Sequence, residues 1–204
     1  MDDTTRIAAR QLGRMRGMTR YYHERFFSDI RFSTAAGAAL LVVGWWGIPE
    51  AFLLVPVIAL LGAALTAFDA SYLIFARQYA ARLERRINRD LGGDVLVAAR
   101  LEETYLFPLD RPKIVTAAFG DGFTWFGFMT LFFTGVGAAL FGFGVALGLP
   151  ILEGHGGGWL AAYLAVLGTA LGSALAVGVW WFPMGAGERR LRSVLDDAFG
   201  TNGD

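Results

Sequence analysis

Residues 123–149 read FTWFGFMTLFFTGVGAALFGFGVALGL, a stretch of 27 residues without one charged side chain. As an α-helix, such a segment is about 40 Å long, because each residue adds about 1.5 Å. The hydrocarbon core of a bilayer is about 30 Å thick and needs roughly 20 helical residues to cross it. The segment therefore predicts a transmembrane helix.

Three further apolar blocks have a similar character, at residues 32–48, 51–75 and 159–184, of which the first is short. Pro49 and Glu50 predict a tight turn between the first two blocks, and residues 150–158, with three consecutive glycines, predict the connection between the last two. We therefore expect an all-α integral membrane protein, a bundle of four transmembrane helices.

The composition agrees with a membrane protein. Hydrophobic residues make up 55 % of the chain and charged residues 18 %, below the roughly 25 % that is usual for soluble domains. The chain has no cysteine, which excludes disulfides, thiolate catalysis and cysteine-ligated metal. Its net charge is zero, so no bulk attraction to nucleic acid is expected.

The orientation follows from the basic residues. All 18 lysines and arginines lie before residue 32, between Arg77 and Lys113, or between Arg189 and Arg192. The positive-inside rule then places both termini and the central segment in the cytoplasm. All six tryptophans fall at predicted span ends, where indole rings are enriched; they are Trp45, Trp46, Trp125, Trp159, Trp180 and Trp181. The preference for arginine over lysine favours a bacterial source, and hence the bacterial cytoplasmic membrane.

The polar segments are predicted to form amphipathic cytoplasmic helices. Tyr79, Leu83, Ile87 and Leu91 recur every four residues beside several arginines, which predicts that the second span continues as a helix until Gly92. Asp94 is expected to cap a second short helix that ends near residue 106. The chain is thus read as one membrane domain over residues 1–204, with these segments: 1–31 cytoplasmic helix, 32–76 first hairpin, 77–121 cytoplasmic helical loop, 122–185 second hairpin, and 186–204 cytoplasmic C-terminal helix.

Asp69 is the one ionisable residue well inside a predicted span. A carboxylate at the centre of a membrane helix costs about 2.5–3.5 kcal/mol, so Asp69 is expected to face the bundle interior or a water-filled cavity. Its hydrogen-bond partner is expected to be Thr66, Ser71, Tyr72 or a residue of another span. One interpretation is a proton or cation site, and the other is a buried carboxyl that ties helices together.

Small residues recur at four-residue spacing in the third and fourth spans, a pattern that lets membrane helices approach closely. The contact lies either within one chain or between chains. The residues are Gly144 with Gly148, Gly168 with Gly172, and Ala174 with Gly178.

Two groups of arginines are predicted to lie next to the inner leaflet, where each basic residue is attracted to anionic headgroups by about 1 kcal/mol. They are candidates for contact with anionic lipid or with a protein partner, and simple solvation is the third interpretation. The residues are Arg6, Arg10, Arg14, Arg82, Arg85, Arg86 and Arg89.

No catalytic residues, metal ligands or cofactor are predicted. His23 and His155 are expected on opposite sides of the membrane, so they cannot share a metal or a haem. A membrane enzyme would need clustered polar residues at the bilayer surface, and the sequence shows none. We therefore expect a non-catalytic scaffold or accessory subunit that assembles in the bilayer with itself or with other membrane subunits. The alternative is a homo-oligomeric ion channel or small transporter that uses Asp69.

Overall fold

The computed structural model describes residues 3–109, 113–118 and 120–199. The protein is nearly all helical, at 87 %, which confirms the all-α prediction. In the described ranges there are six α-helices: α1 (Asp3–Trp45), α2 (Val55–Leu91), α3 (Ala98–Tyr105), α4 (Trp125–Gly154), α5 (Gly157–Trp181) and α6 (Ala186–Phe199). Residues 1–2, 110–112, 119 and 200–204, which belong to predicted segments, lie outside the described ranges.

Four of the helical stretches are long and apolar enough to cross a membrane, so the expectation of four spans is confirmed at the level of length and composition. They are Thr5–Trp45, Pro49–Leu91, Trp125–Gly154 and Gly157–Trp181. The second includes a 3₁₀ helix, Pro49–Leu54, which leads directly into α2.

Two of these helices are much longer than a bilayer crossing. Helix α1 has 43 residues and is about 65 Å long, and α2 has 37 residues and is about 55 Å long. The predicted boundaries at residues 31/32 and 76/77 therefore fall inside continuous helices. Helix α2 ends where the sequence predicts, because Gly92 has φ +72°, a left-handed conformation that favours glycine and closes a helix.

The connection between α4 and α5 is shorter than predicted. Pro150 lies inside α4, and only His155 and Gly156 separate the two helices. A proline in the last turns removes a single helical hydrogen bond, and an apolar segment gains by satisfying its remaining backbone groups within the helix. Gly156, with φ +105°, makes the reversal.

The central segment differs from the prediction in two ways. Asp94 does not cap α3, which begins after Val97 without a side-chain cap bond; Asp94 instead pairs with Arg100 at 3.3 Å. A two-stranded antiparallel hairpin, β1 (Lys113–Ile114) and β2 (Ala117–Ala118), was not predicted. Strands of two residues are too short to show the period-2 pattern by which strands are recognised.

The polypeptide forms two compact units. The first contains Met1–Arg25, Phe68–Thr130 and Trp180–Asp204. Its core includes a cluster in which α1 packs against α2, formed by Ala8, Met15, Ala80, Leu83 and Ile87. Leu83 and Ile87 of the predicted apolar repeat are thus buried, whereas Leu91 at its end is 48 % exposed.

The second unit contains Phe26–Ala67 and Leu131–Val179. Glycines provide close approaches between its helices: a Cβ placed on Gly37 would lie 3.1 Å from Leu140, and one on Gly62 would lie 2.4 Å from Ser33. The Tyr163 hydroxyl of α5 donates a hydrogen bond of 2.9 Å to the carbonyl oxygen of Leu53.

Candidate functional site

Asp69 lies on α2 and is completely buried. The Nε atom of Arg25, on α1, lies 3.4 Å from Asp69 Oδ1, and the arginine side chain is 42 % exposed. Removing a carboxylate from water costs several kcal/mol, which an opposite charge offsets. The structure therefore pairs this carboxylate with a guanidinium of another helix.

The side chains that the sequence suggested as partners have other contacts. The hydroxyl of Thr66 donates to the carbonyl of Gly62 at 2.7 Å, and that of Ser71 donates to Phe68 at 2.8 Å. Tyr72 stacks on Tyr22 of α1, with ring centroids 4.9 Å apart. Arg25 meets Asp69 as an ion pair and not through one of the hydrogen bonds that the sequence suggested.

A second polar group lies further along α2 and was missed by sequence reasoning. It consists of Arg16, Arg77, Glu84 and Glu102, which we call the four-charge cluster. Arg16 of α1 binds both Glu84 of α2 and Glu102 of α3. Arg77 Nε lies 3.3 Å from Glu102 Oε2, so the two arginines and two glutamates balance in charge.

Arg77 is the most deeply buried cation of this cluster, at 1 % exposure. Its Nη1 donates a hydrogen bond of 2.9 Å to the carbonyl oxygen of Phe107, and its guanidinium carbon lies 4.2 Å from the centre of the Phe107 ring. That distance is within the range of a cation–π interaction. Arg77 thus ties α2 to the segment that follows α3.

Glu84 has a double role in the cluster. While one carboxylate oxygen binds Arg16, Oε1 accepts the backbone N–H of Ala99 at 3.0 Å. Ala99 is in the first turn of α3, where backbone N–H groups have no partner within the helix and a negative charge is favourable. Glu84 therefore caps the start of α3, the role that was expected of Asp94.

One sequence signal could have drawn attention to Arg77. It lies among Ala76, Ala80 and Ala81, all of which are buried. Small residues around a charge on a helix indicate that another segment approaches closely there. The identity of its partners, Glu102 and Phe107, which lie 25 and 30 residues further along the chain, has no local signal.

The predicted small-residue faces differ in their surroundings. A Cβ on Gly144 would lie 2.6 Å from Pro56 Cδ, and one on Gly148 would lie 2.7 Å from a methyl carbon of Leu53, so this face of α4 packs within the chain. For Gly168, Gly172 and Gly178 of α5, no described atom lies within 4 Å of such a Cβ. Ala174 is exposed as well.

The predicted arginine groups lie mostly at the surface. Arg82 pairs with Asp196 of α6 at 2.7 Å, and Arg6 pairs with Asp3 at 2.8 Å. The other members are exposed, namely Arg10, Arg14, Arg85, Arg86 and Arg89.

The two histidines have different surroundings. The ring of His23 lies 5.5 Å from that of Phe126, whereas His155 is exposed and its Nδ1 is 2.8 Å from the carbonyl oxygen of Ile151. Among the residues that the structure describes, no three histidine, aspartate or glutamate side chains are grouped so that they could hold a metal ion. No protein-family model, curated protein or solved structure matches the chain.

Proposed function

We propose that this chain is a non-catalytic scaffold or accessory subunit of a membrane complex in the bacterial cytoplasmic membrane. Its four membrane-spanning helices form a bundle, and both termini and the central segment are cytoplasmic. The observation that carries the proposal is the uncovered small-residue face of α5, formed by Gly168, Thr169, Gly172 and Ser173, which we call the α5 face.

The orientation is supported by length and charge. Helix α1 is about twice as long as a bilayer crossing, and its seven arginines all precede residue 32. The apolar part of α1 can therefore lie in the bilayer while the basic part extends into the cytoplasm, where positive charge is favoured. The arginines of α6 are on the same side in this arrangement.

The α5 face contrasts with the closely packed glycines of the same unit. Gly62, Gly144 and Gly148 each meet a neighbouring residue closer than 3 Å from an added Cβ, so this chain uses helical glycine for close packing. Gly168 and Gly172 have the same four-residue spacing but no such neighbour among the described residues. Thr169 and Ser173 beside them are exposed, and hydroxyls of this kind hydrogen-bond across helix pairs in membranes. We expect a helix of another chain to pack against the α5 face.

A structural role also fits the charged groups. The buried ionisable side chains of α2 are engaged with the protein itself: Asp69 with Arg25, Arg77 with Glu102, and Glu84 with Arg16. These pairs join α1, α2 and α3 in one unit. Arg10, Arg14, Arg85 and Arg86 are exposed, and we expect these arginines to contact anionic lipid or a partner.

The first test is the mass and subunit composition of the protein after gentle extraction from its native membrane. Co-purification with other polypeptides at a fixed stoichiometry supports the accessory subunit. A complex of this chain alone, with three or more copies, favours the alternative below. A monomer that binds nothing refutes the proposal.

The α5 face is tested by Gly172→Leu, which should dissociate the complex because leucine prevents close approach of the partner backbone. Gly137→Leu is the matched control. Gly137 of α4 also has no described atom within 4 Å of an added Cβ, but Phe133 and Phe141 occupy the positions four residues away. If both variants leave the complex intact, α5 is not the assembly surface.

The alternative function is a homo-oligomeric ion channel or small transporter. The observation in its favour is that Asp69, in a candidate span, is fully buried, as a carboxylate on an ion pathway would be. Asp69→Asn should then abolish ion or proton flux in vesicles while the assembly stays intact. Arg25, at 3.4 Å, would compete with a cation for the same carboxylate, so we place this function second.

A further inference from the structure

A mostly apolar groove lies in the first unit, between α2, the β1–β2 turn and α6. Its walls include Ile74 and Phe75 of α2, Trp181 at the end of α5, and Leu191 and Val194 of α6. The volume is about 260 Å³.

One wall of the groove is held in a fixed conformation. Val115, which lines it, has φ +58°, a value that β-branched residues rarely adopt. The adjacent Thr116 is completely buried, and its hydroxyl is hydrogen-bonded to that of Thr130 at 2.8 Å. The turn is therefore anchored to α4, and the groove is a formed feature of this unit.

One acidic and one basic residue of α6 line the groove. Glu188 and Arg190 both line it, but Glu188 is paired with Arg192 at 3.4 Å. The guanidinium of Arg189 donates a hydrogen bond to the carbonyl oxygen of Met184. Arg190 is exposed and has no ion pair with any described residue. The groove thus combines an apolar interior with one available cation.

We propose that this groove binds an anionic phospholipid of the cytoplasmic leaflet, with part of an acyl chain along Ile74, Phe75 and Leu191 and the headgroup phosphate on Arg190. Trp181 indicates that the groove lies at the level of the lipid headgroups, where tryptophan is enriched. A helix of a second copy that packed here by its apolar face would supply no anion for Arg190. A neutral lipid would leave Arg190 without an anion. The inference uses the membrane orientation proposed above but not the subunit role.

The test uses the full chain in detergent micelles and native mass spectrometry. Dioleoyl phosphatidylglycerol, which is anionic, and dioleoyl phosphatidylcholine, which is zwitterionic, are titrated separately. We expect one phosphatidylglycerol to bind per chain, more tightly than phosphatidylcholine. Arg190→Gln should weaken the phosphatidylglycerol by about fivefold, the factor that corresponds to roughly 1 kcal/mol for one basic residue at a headgroup.

Two further variants distinguish lipid binding in the groove from a general attraction of anionic lipid to exposed arginines. Val194→Trp, at a position that is 60 % exposed, fills the groove without disturbing the core and should abolish binding of both lipids. Arg100→Gln removes an exposed arginine of α3 that does not line the groove, and it should have no effect. Equal losses for Arg190→Gln and Arg100→Gln, or unchanged binding in Val194→Trp, would overturn the proposal.

The outcome is independent of the proposed function. Arg190→Gln and Val194→Trp should leave the subunit composition unchanged, whereas Gly172→Leu should change the composition and leave lipid binding unchanged. A chain that binds no phosphatidylglycerol, or that dimerises through Leu191 in cysteine cross-linking of Leu191→Cys, overturns the lipid site alone.

Discussion

Replacing Arg77 by methionine removes a buried guanidinium while it keeps an unbranched apolar side chain in place. The variant loses the hydrogen bond to the Phe107 carbonyl oxygen, the ion pair with Glu102 and the contact with the Phe107 ring. Since Phe107 is completely buried, water does not readily replace the lost donor. We expect the first unit to be destabilised.

The size of the effect can be worked from these contacts. Removing one partner of a buried ion pair costs about 3–5 kcal/mol. The lower end applies here, because Glu102 is 24 % exposed and keeps Arg16 as a partner. A loss of about 3 kcal/mol lowers the melting temperature by roughly 6–12 °C in a chain of this size.

The measurement is thermal unfolding in detergent micelles, followed by circular dichroism and tryptophan fluorescence. Arg85→Met is the control, because Arg85 is an exposed arginine of the same helix and should change stability by less than about 0.5 kcal/mol. The double variant Arg77→Met/Glu102→Gln should be more stable than Arg77→Met, since fewer charges remain uncompensated. If Arg77→Met unfolds at the same temperature as Arg85→Met, the cluster does not stabilise the fold.

Three other outcomes are expected. In this cysteine-free chain, an impermeant maleimide added to intact cells should label His155→Cys and not Ser193→Cys; the reverse result would invert the proposed orientation. Gly144→Leu should cost about 1–3 kcal/mol through overpacking, whereas Gly142→Leu, with no described atom within 4 Å of its added Cβ, should leave the melting temperature unchanged. Arg25→Gln removes the cation that lies 3.4 Å from the fully buried Asp69 carboxylate. Removing one partner of a buried pair costs about 3–5 kcal/mol, and we expect the lower end because Arg25 is 42 % exposed; an unchanged melting temperature would contradict this expectation.

The features that sequence predicted well are those encoded locally. The apolar run in residues 123–149 indicates a membrane helix because burial in hydrocarbon depends on each residue's own polarity. The end of α2 could be placed because Gly92 is the residue type that accepts φ +72° without strain. The closeness of Gly144 to α2 is compatible with the small-residue pattern, although the pattern did not say which helix would meet it.

What sequence did not predict depends on residues far apart in the chain. The cap of α3 comes from Glu84 and not from Asp94, and no rule of local spacing distinguishes the two. The four-charge cluster joins Arg16 to Glu102 across 86 residues, and each of these residues looks like an ordinary surface charge in the sequence. Pro150 is a local exception, because it continues α4 although proline ends many helices.

The position of Glu84 has a consequence for the order of events during synthesis. The arginine that it binds lies on α1 and the peptide that it caps lies on α3, so the three helices meet at one carboxylate. Chains grow from the N-terminus, and α1 and α2 are complete before Ala99 has been added. We therefore expect α1 and α2 to join first and to present the free Glu84 oxygen as a template on which the first turn of α3 forms. In this protein the start of one helix is specified by the docking of two earlier ones.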